Sequence, residues 1–282
     1  MTTCAPLGGA LSLCPMRPMF HAHWAADPYF NMAFDECMLA RVLEDPEAVI
    51  VRVYTWTPGT ITIGRHQDAE RAVDFARLGD TPVIRRTTGG RAVYHDPSEL
   101  TYAVAGRPEH FGLNGGEVRI TEVYSRLAHI LERFLAREGI EANLVKRSSP
   151  HNARRDFFHK APCFESVARH ELCTNNRKII ASAQRQINSA FLQHGSIKLL
   201  GEVHHPALDD QESVPQLVDK KRFDLLVESF RQTFRDYLCS DFVLPIGRDD
   251  LESRADRHRQ SVIQTALERR NIVKQLLPPN SL

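Results

Sequence analysis

At 282 residues, with 42% hydrophobic and 25% charged side chains, the chain has a globular composition and enough length to bury a sizeable core. Lys+Arg number 36 against 35 Asp+Glu, and this net charge of +1 argues against a strongly basic nucleic-acid binder, though not against a local patch for an acidic partner. No apolar run approaches the ~20 residues of a membrane span, so no membrane association is expected.

The N-terminus carries Pro6 and Gly8-Gly9 and lacks a basic start, which makes it a poor secretion signal. The expectation is a disordered lead-in over 1–20, then a single domain over 21–282 with C-terminal helices, in a cytoplasmic protein. Asn31 to Val42 has apolar residues at helical spacing after Asp27-Pro28 and predicts a helix. Val49 to Trp56 predicts a strand, Pro58-Gly59 a turn, and Thr60 to Ile63 the next strand. Val83 to Arg86 and Arg91 to His95 flank a Gly-Gly turn, and Leu100 to Val104 continues the β pattern. Gly116 to Gly139 reads as a long helix and Asn143 to Val145 as a short strand. Lys146 to Lys160 reads as a basic loop. Lys178 to Gln186 and Phe191 to Leu199, separated by Asn188-Ser189, form a hairpin signal. Phe223 to Leu238 and Leu251 to Leu277 read as helices. Helices segregated from a largely antiparallel, mixed sheet give an α+β fold.

The stretch with most chemical content is Arg85-Arg86-Thr87-Thr88-Gly89-Gly90, followed by His95-Asp96. Glycines let a backbone pass close to a ligand, and arginines beside such a turn favour an anionic or carboxyl-derived one. A bare Gly-Gly with surface arginines is also an ordinary hairpin. The six cysteines form no CxxC pair, so zinc spacing is absent and no metal site is expected; without a secretion signal, reduced thiols are the default. Cys163, before the hairpin, and Lys178, opening it, could form a nucleophile and its activating cation, or be a packing residue and a solvated one.

Four blocks occur in order: Asn31-Met32-Ala33-Phe34-Asp35-Glu36, the arginine/Gly-Gly/His-Asp string, Lys178-Ile179-Ile180-Ala181-Ser182-Ala183-Gln184, and Gln193-His194-Gly195-Ser196-Ile197. Together they resemble the signatures of the lipoate-protein ligase and octanoyltransferase family, from about residue 24 to 200. That resemblance implies the biotin/lipoate ligase catalytic fold. It also implies one of two chemistries. Ligases activate lipoate with ATP and Mg; octanoyltransferases move octanoate from acyl carrier protein through a cysteine thioester with no cofactor. Cys163-Phe164 ahead of the Lys178 strand resembles the octanoyltransferases whose nucleophile sits in a Cys-Phe context, with Lys178 lowering the thiol pKa. The implied partners are octanoyl-acyl carrier protein and the lipoyl domains of 2-oxoacid dehydrogenases or the glycine cleavage H protein, met by a monomer. An octanoyl or lipoyl amidotransferase and a non-catalytic acyl or lipoyl-domain binder remain alternatives.

On this reading Arg85, Arg86, Thr87, Gly89 and Gly90, with Ser182, Ala183, Gln184 and Gly195, shape a narrow acyl pocket. The arginines could instead hold an anionic part of the carrier's arm. His95 and His194 are either hydrogen-bonded structural residues or proton carriers. Asp35 and Glu36 anchor their helix to arginines by ion pairs. The basic stretch Lys146, Arg147, Arg154, Arg155 and Lys160 is a solvated loop, or a docking surface for an acidic partner. Ala181 replaces the family's glycine, and its methyl group is expected to narrow the pocket.

Overall fold

The computed structural model describes residues 15–114, 118–144, 172–174, 177–199, 201, 203–214, 218–243 and 250–276, with 265–276 described by backbone alone. The expected Cys163, the basic 146–160 loop and residues 1–14 lie outside them.

The chain enters through β1 (Arg17–Ala26), continues into α1 (Pro28–Glu44) and returns as β2 (Ala48–Trp56), parallel to β1. Residues 17–20, expected in the disordered lead-in, are therefore the start of a strand. His21 and His23 interrupt the apolar alternation of this segment, so its pairing with β2 decides its state. α1 begins earlier than the apolar spacing suggested because the Asp27 side chain accepts from the Phe30 N–H and Pro28 sits in the first turn.

β3 (Thr60–Ile63), β4 (Val83–Arg85) and β5 (Val93–His95) make a separate three-stranded sheet in the order β4-β3-β5. α2 (Ala69–Ala72) lies between β3 and β4. β6 (Leu100–Gly106) rejoins the large sheet and pairs antiparallel with β2. After α3 (Ile120–Arg137) come β7 (Asn143–Leu144), β8 (Leu172–Thr174), β9 (Arg177–Ile187) and β10 (Ala190–Ile197). The described strands of the large sheet run β1-β2-β6-β10-β9-β8-β7, and every pairing except β1 with β2 is antiparallel. The β9–β10 hairpin turns at Asn188, which takes a positive φ of 51°. α4 (Lys220–Leu238) and α5 (Asp250–Leu276) complete this α+β fold. Among the described residues, no helix is long and apolar enough to cross a membrane.

Alternation along β2, buried at all nine positions, sorts the core into two layers. Val49, Val51 and Val53 join Leu127, Leu131 and Phe134 of α3 and Phe230 and Phe234 of α4. Ile50, Tyr54 and Trp56 join Phe34 and Met38 of α1 and Leu251 of α5. Arg52 points into this second layer and is fully buried.

A buried guanidinium is tolerable only when paired and hydrogen-bonded. Arg52 Nη1 donates to Asp35 Oδ1 and the Asn31 carbonyl, each at 3.0 Å; Nη2 donates to Asn31 Oδ1 at 2.5 Å; Nε donates to His23 Nδ1 at 3.0 Å. Its guanidinium carbon lies 4.4 Å from the Phe34 ring centre and 3.9 Å from that of Tyr54. Asp35 thus does pair with an arginine, but with Arg52 rather than the arginines of the Gly-Gly string. Glu36 instead bonds His258 of α5 at 2.6 Å.

Removing one member of such a pair strands a buried charge. Arg52→Met is expected to lower unfolding free energy by about 3–5 kcal/mol in urea titration. Arg17→Ala, which breaks an exposed pair with Asp45, should cost less than about 1 kcal/mol.

Candidate active site

A cleft lies between the small sheet and the α1 face of the large one. Its inner wall is Met32, Tyr54 and Trp56, and its outer wall includes Gly90, Ala183 and Val93. Trp56 and Tyr54 are essentially buried, whereas Gly90 is exposed and Ala183 and Val93 are half-buried, so the cleft deepens from the Gly-Gly turn toward Trp56.

The two arginines build the wall nearest the turn. Arg85 Nη1 donates to the carbonyls of Gly64, Arg65 and Gln67 at 2.8, 3.2 and 2.6 Å. Arg86 Nη1 donates to the Thr62 carbonyl at 2.9 Å and to Thr62 Oγ1 at 2.8 Å. Its Nη2 donates to the carbonyls of Gly89 and Arg91, each at 2.9 Å, and so ties the turn to β3. Arg86 lines the cleft; Arg85 braces the backbone behind it.

Gly90 adopts φ +95°, and a side chain there would also crowd Arg86. Gly89 has no such requirement, since a Cβ there would meet open space. Gly195 is required by packing: a Cβ would run into the Ala181 carbonyl and approach Tyr102 to 2.9 Å. The register pairs Gly195 with Ser182, His194 with Ala183 and Ser196 with Ala181, and all six line the cleft. The Ala181 methyl is thus part of the wall. Ser182 Oγ bonds Tyr102 OH at 2.7 Å in the α3 layer. Thr87 receives a hydrogen bond from Arg185, and Gln184 is half-buried; neither lines the cleft.

Both expected histidines line the cleft, each between a carboxylate and a threonine. His95 Nδ1 is 2.7 Å from Glu99 Oε1, and Nε2 is 2.8 Å from Thr62 Oγ1. The His95 ring stacks on Trp56, with centroids 4.3 Å apart. Glu99 also bonds Lys198 and Thr101. Burial pushes the Glu99 carboxyl up, but Lys198 and His95 outweigh it and hold it at about 2. Burial pulls His95 down despite the Glu99 charge, so the ring is neutral. With Glu99 ionised, Nδ1 carries the proton and Nε2 accepts from Thr62. His194 Nδ1 is 2.7 Å from Asp35 Oδ2, and Nε2 is 2.6 Å from Thr88 Oγ1. Tyr54 OH donates to the same Asp35 oxygen at 3.0 Å, and burial holds that phenol neutral.

Lys178 is buried three residues before Ala181 and pairs in register with Cys173, but it is not among the cleft-lining residues. His21, His23 and Glu252 approach closely enough to share an ion. However, Arg52 Nε–H donates to His23 Nδ1, which leaves the His23 proton on Nε2, 3.2 Å from Glu252. That geometry is a hydrogen bond rather than a ligand set.

Sequence reasoning did not pick out Arg52, Trp56, Thr88, Glu99 and Lys198. Arg52 had a signal: one arginine inside an otherwise apolar strand must find a buried partner. Thr88 and Lys198 had none, since their partners are 106 and 99 residues away.

The model of the lipoyl protein ligase A/B catalytic domain matches residues 27–228. Octanoyltransferase LipM of Moorella thermoacetica is 37% identical over 176 residues, covering 62% of this chain and 62% of that protein. Octanoyltransferase LipM of Brevibacillus brevis is 32% identical over 214 residues, covering 74% of this chain and 73% of that protein. The match to the first of these therefore spans less than two thirds of the relative's length. Among solved structures, lipoate-protein ligase A bound with ATP superposes with a TM-score of 0.63 at 21% identity, over 87% of this chain and 94% of that one. The bi-partite lipoate protein ligase of Thermoplasma acidophilum gives 0.63 at 19%, over 87% and 92%. These two likenesses establish the fold.

The Glu99 relay sets an acid limit. A carboxyl depressed from 4.5 to about 2 contributes stability above pH 4.5 that is lost as pH falls toward 2, on the order of 3 kcal/mol. His95, also depressed, contributes above about pH 6.5 and loses that contribution first. Thermal melts should fall in both windows. Glu99→Gln should be less stable at neutral pH and lack the decline between pH 4.5 and 2.

Proposed function

Because this chain belongs to the lipoyl protein ligase A/B catalytic-domain family, we propose that it moves octanoyl from acyl carrier protein to a lipoyl-domain lysine through a cysteine thioester, in lipoate biosynthesis. The observation that carries this reading is the cleft, with an apolar buried end for an acyl chain and a polar wall of Arg86, His95 and His194. The names of the relatives support the same reaction.

In the first half-reaction the Cys163 thiolate attacks the carrier thioester. A new carbon–sulfur bond forms, the old one breaks, and the carrier thiol leaves with a proton. The Lys178 ammonium favours the thiolate. Support for this pairing is positional: Cys163 precedes β8 by nine residues, and β8 pairs with the strand that carries Lys178. Backbone N–H groups along Ser182–Ala183 and the Gly89-Gly90 turn polarise the carbonyl as it becomes an oxyanion. In the second half-reaction the lysine amine displaces the thiolate and leaves an amide. The thioester is already activated, so neither ATP nor Mg enters. The acceptors are lipoyl domains of 2-oxoacid dehydrogenases or the glycine cleavage H protein, modified by a monomer in the cytoplasm.

Incubation with octanoyl-acyl carrier protein without ATP should add one octanoyl group to the intact mass. Hydroxylamine should remove it, and Cys163→Ser should lack it. Absence of the adduct, with lipoyl-adenylate formed once ATP and lipoate are supplied, would move the protein to the ligases.

A further inference from the structure

We infer that Arg65 and Arg185, at the mouth of the cleft, dock carboxylates that flank the acceptor lysine, an inference that rests on the octanoyltransferase reading. Gly90 is exposed, and a Cβ there would lie 3.7 Å from the Ala183 Cβ, so the turn and β9 face each other across the mouth. Along β9, Ala181, Ala183 and Arg185 share one face by strand parity. Ala181 and Ala183 line the cleft, and burial falls from the first to the second, so this face leads outward to Arg185. The Arg185 side chain reaches the Thr87 hydroxyl. On the other side, Gly64 packs so closely on the turn that a Cβ would collide with the Gly90 carbonyl. Arg65, the next residue, donates its backbone N–H to the Thr88 carbonyl at 2.8 Å. Two arginines therefore bracket the Gly-Gly turn.

These two cations differ from Arg85 and Arg86, whose guanidinium groups are engaged by backbone carbonyls. Among the described residues, no carboxylate lies within ion-pair distance of Arg65 or Arg185, and Arg65 is exposed. Burial and the neighbouring Arg65 charge pull the Arg185 pKa down, against the Glu36 charge. Glu36 itself is held by His258 at 2.6 Å. Like charges side by side favour an incoming anion, because it relieves their repulsion.

The anion that fits is a carboxylate of the acceptor. With the acyl chain in the cleft, its carbonyl carbon lies near Ala183 and Gly90. A lysine side chain has only four methylenes, so its amine reaches that carbon only if the acceptor backbone lies just outside the mouth. Side chains flanking the lysine then meet Arg65 and Arg185. The phosphate of the carrier's arm does not fit, because two amides and a branched alcohol unit separate it from the sulfur. Ala183 and Arg185 are two strand residues apart, about 7 Å, which is far short of that span. Acidic side chains beside the lysine would also steer it toward a positive mouth.

The test is an internal competition. The full chain receives octanoyl-acyl carrier protein and two lipoyl domains in one reaction, at equal concentration. One domain carries aspartates on both sides of the acceptor lysine, and the other carries asparagines there. Early in the reaction, intact mass gives the product ratio, which is the ratio of kcat/KM values and does not depend on the amount of active enzyme. Wild type should favour the aspartate domain about tenfold, and the preference should shrink at high salt. Arg65→Ala and Arg185→Ala should each reduce it, and the double variant should bring it near parity. Arg65→Lys, which keeps the charge, should keep the preference. Arg65→Glu should shift it toward a domain with arginines at the flanking positions. No preference in wild type, or an unchanged ratio in the double alanine variant, would overturn the docking inference while leaving the octanoyltransferase standing. No octanoylation of either domain by the wild-type chain would overturn both.

Discussion

The buried pair of Arg52 with Asp35 is the interaction on which the rest of the site depends. Two charges taken out of water cost several kcal/mol each, and they are recovered only if every lone pair and N–H in the neighbourhood is met. Here the compensation recruits three elements. Arg52 on β2 reaches Asn31 and Asp35 on α1 and His23 on β1. Asp35 then has one oxygen left for Tyr54 and His194. Replacing the pair with apolar side chains could give an equally stable layer, but it would not orient an imidazole. The pair is better understood as a device for specificity: it fixes the rotation of α1 against the sheet and thereby the tautomer of His194.

A second constraint comes from the small sheet. Three short strands cannot bury much surface alone, and their own cluster around Ile61, Ile63 and Val73 is modest. Arg86 compensates by linking β3 to the Gly-Gly turn through four hydrogen bonds, while Arg85 ties β4 to the turn after β3. The arginines that look like ligand-binding groups thus act mainly on backbone carbonyls. Glycine at position 90 is required by its φ, and glycine at 195 by the approach of β9 and Tyr102. The result is a cleft whose walls come from two sheets and whose floor is the Trp56 indole stacked on His95.

That architecture suits chemistry in which an acyl chain is held while the group at its end is exchanged. Apolar burial holds the chain without directional demands, and the polar wall supplies fixed dipoles at the reactive end. His95 and His194 share one geometry in that wall, each held between a carboxylate and a threonine.

Much was legible in the chain itself, because local patterns act locally. The apolar spacing of α1, α3 and α4, the alternation in β9 and β10, and the Asn188 turn all lie within windows where periodicity and propensity speak directly. The four signature blocks identified the family for the same reason: each is a contiguous run. Tertiary structure alone decided which side chains meet. β1 becomes a strand because β2 lies beside it, since its own alternation is broken by histidines. Arg52 selects Asp35 over nearer carboxylates because helix rotation and strand parity point both into one dry layer. Thr88 meets His194 across 106 residues only because the small sheet folds back over β10. Pairing across such distances depends on the closure of the whole chain, and burial then makes each contact obligatory by denying the polar atoms any other partner.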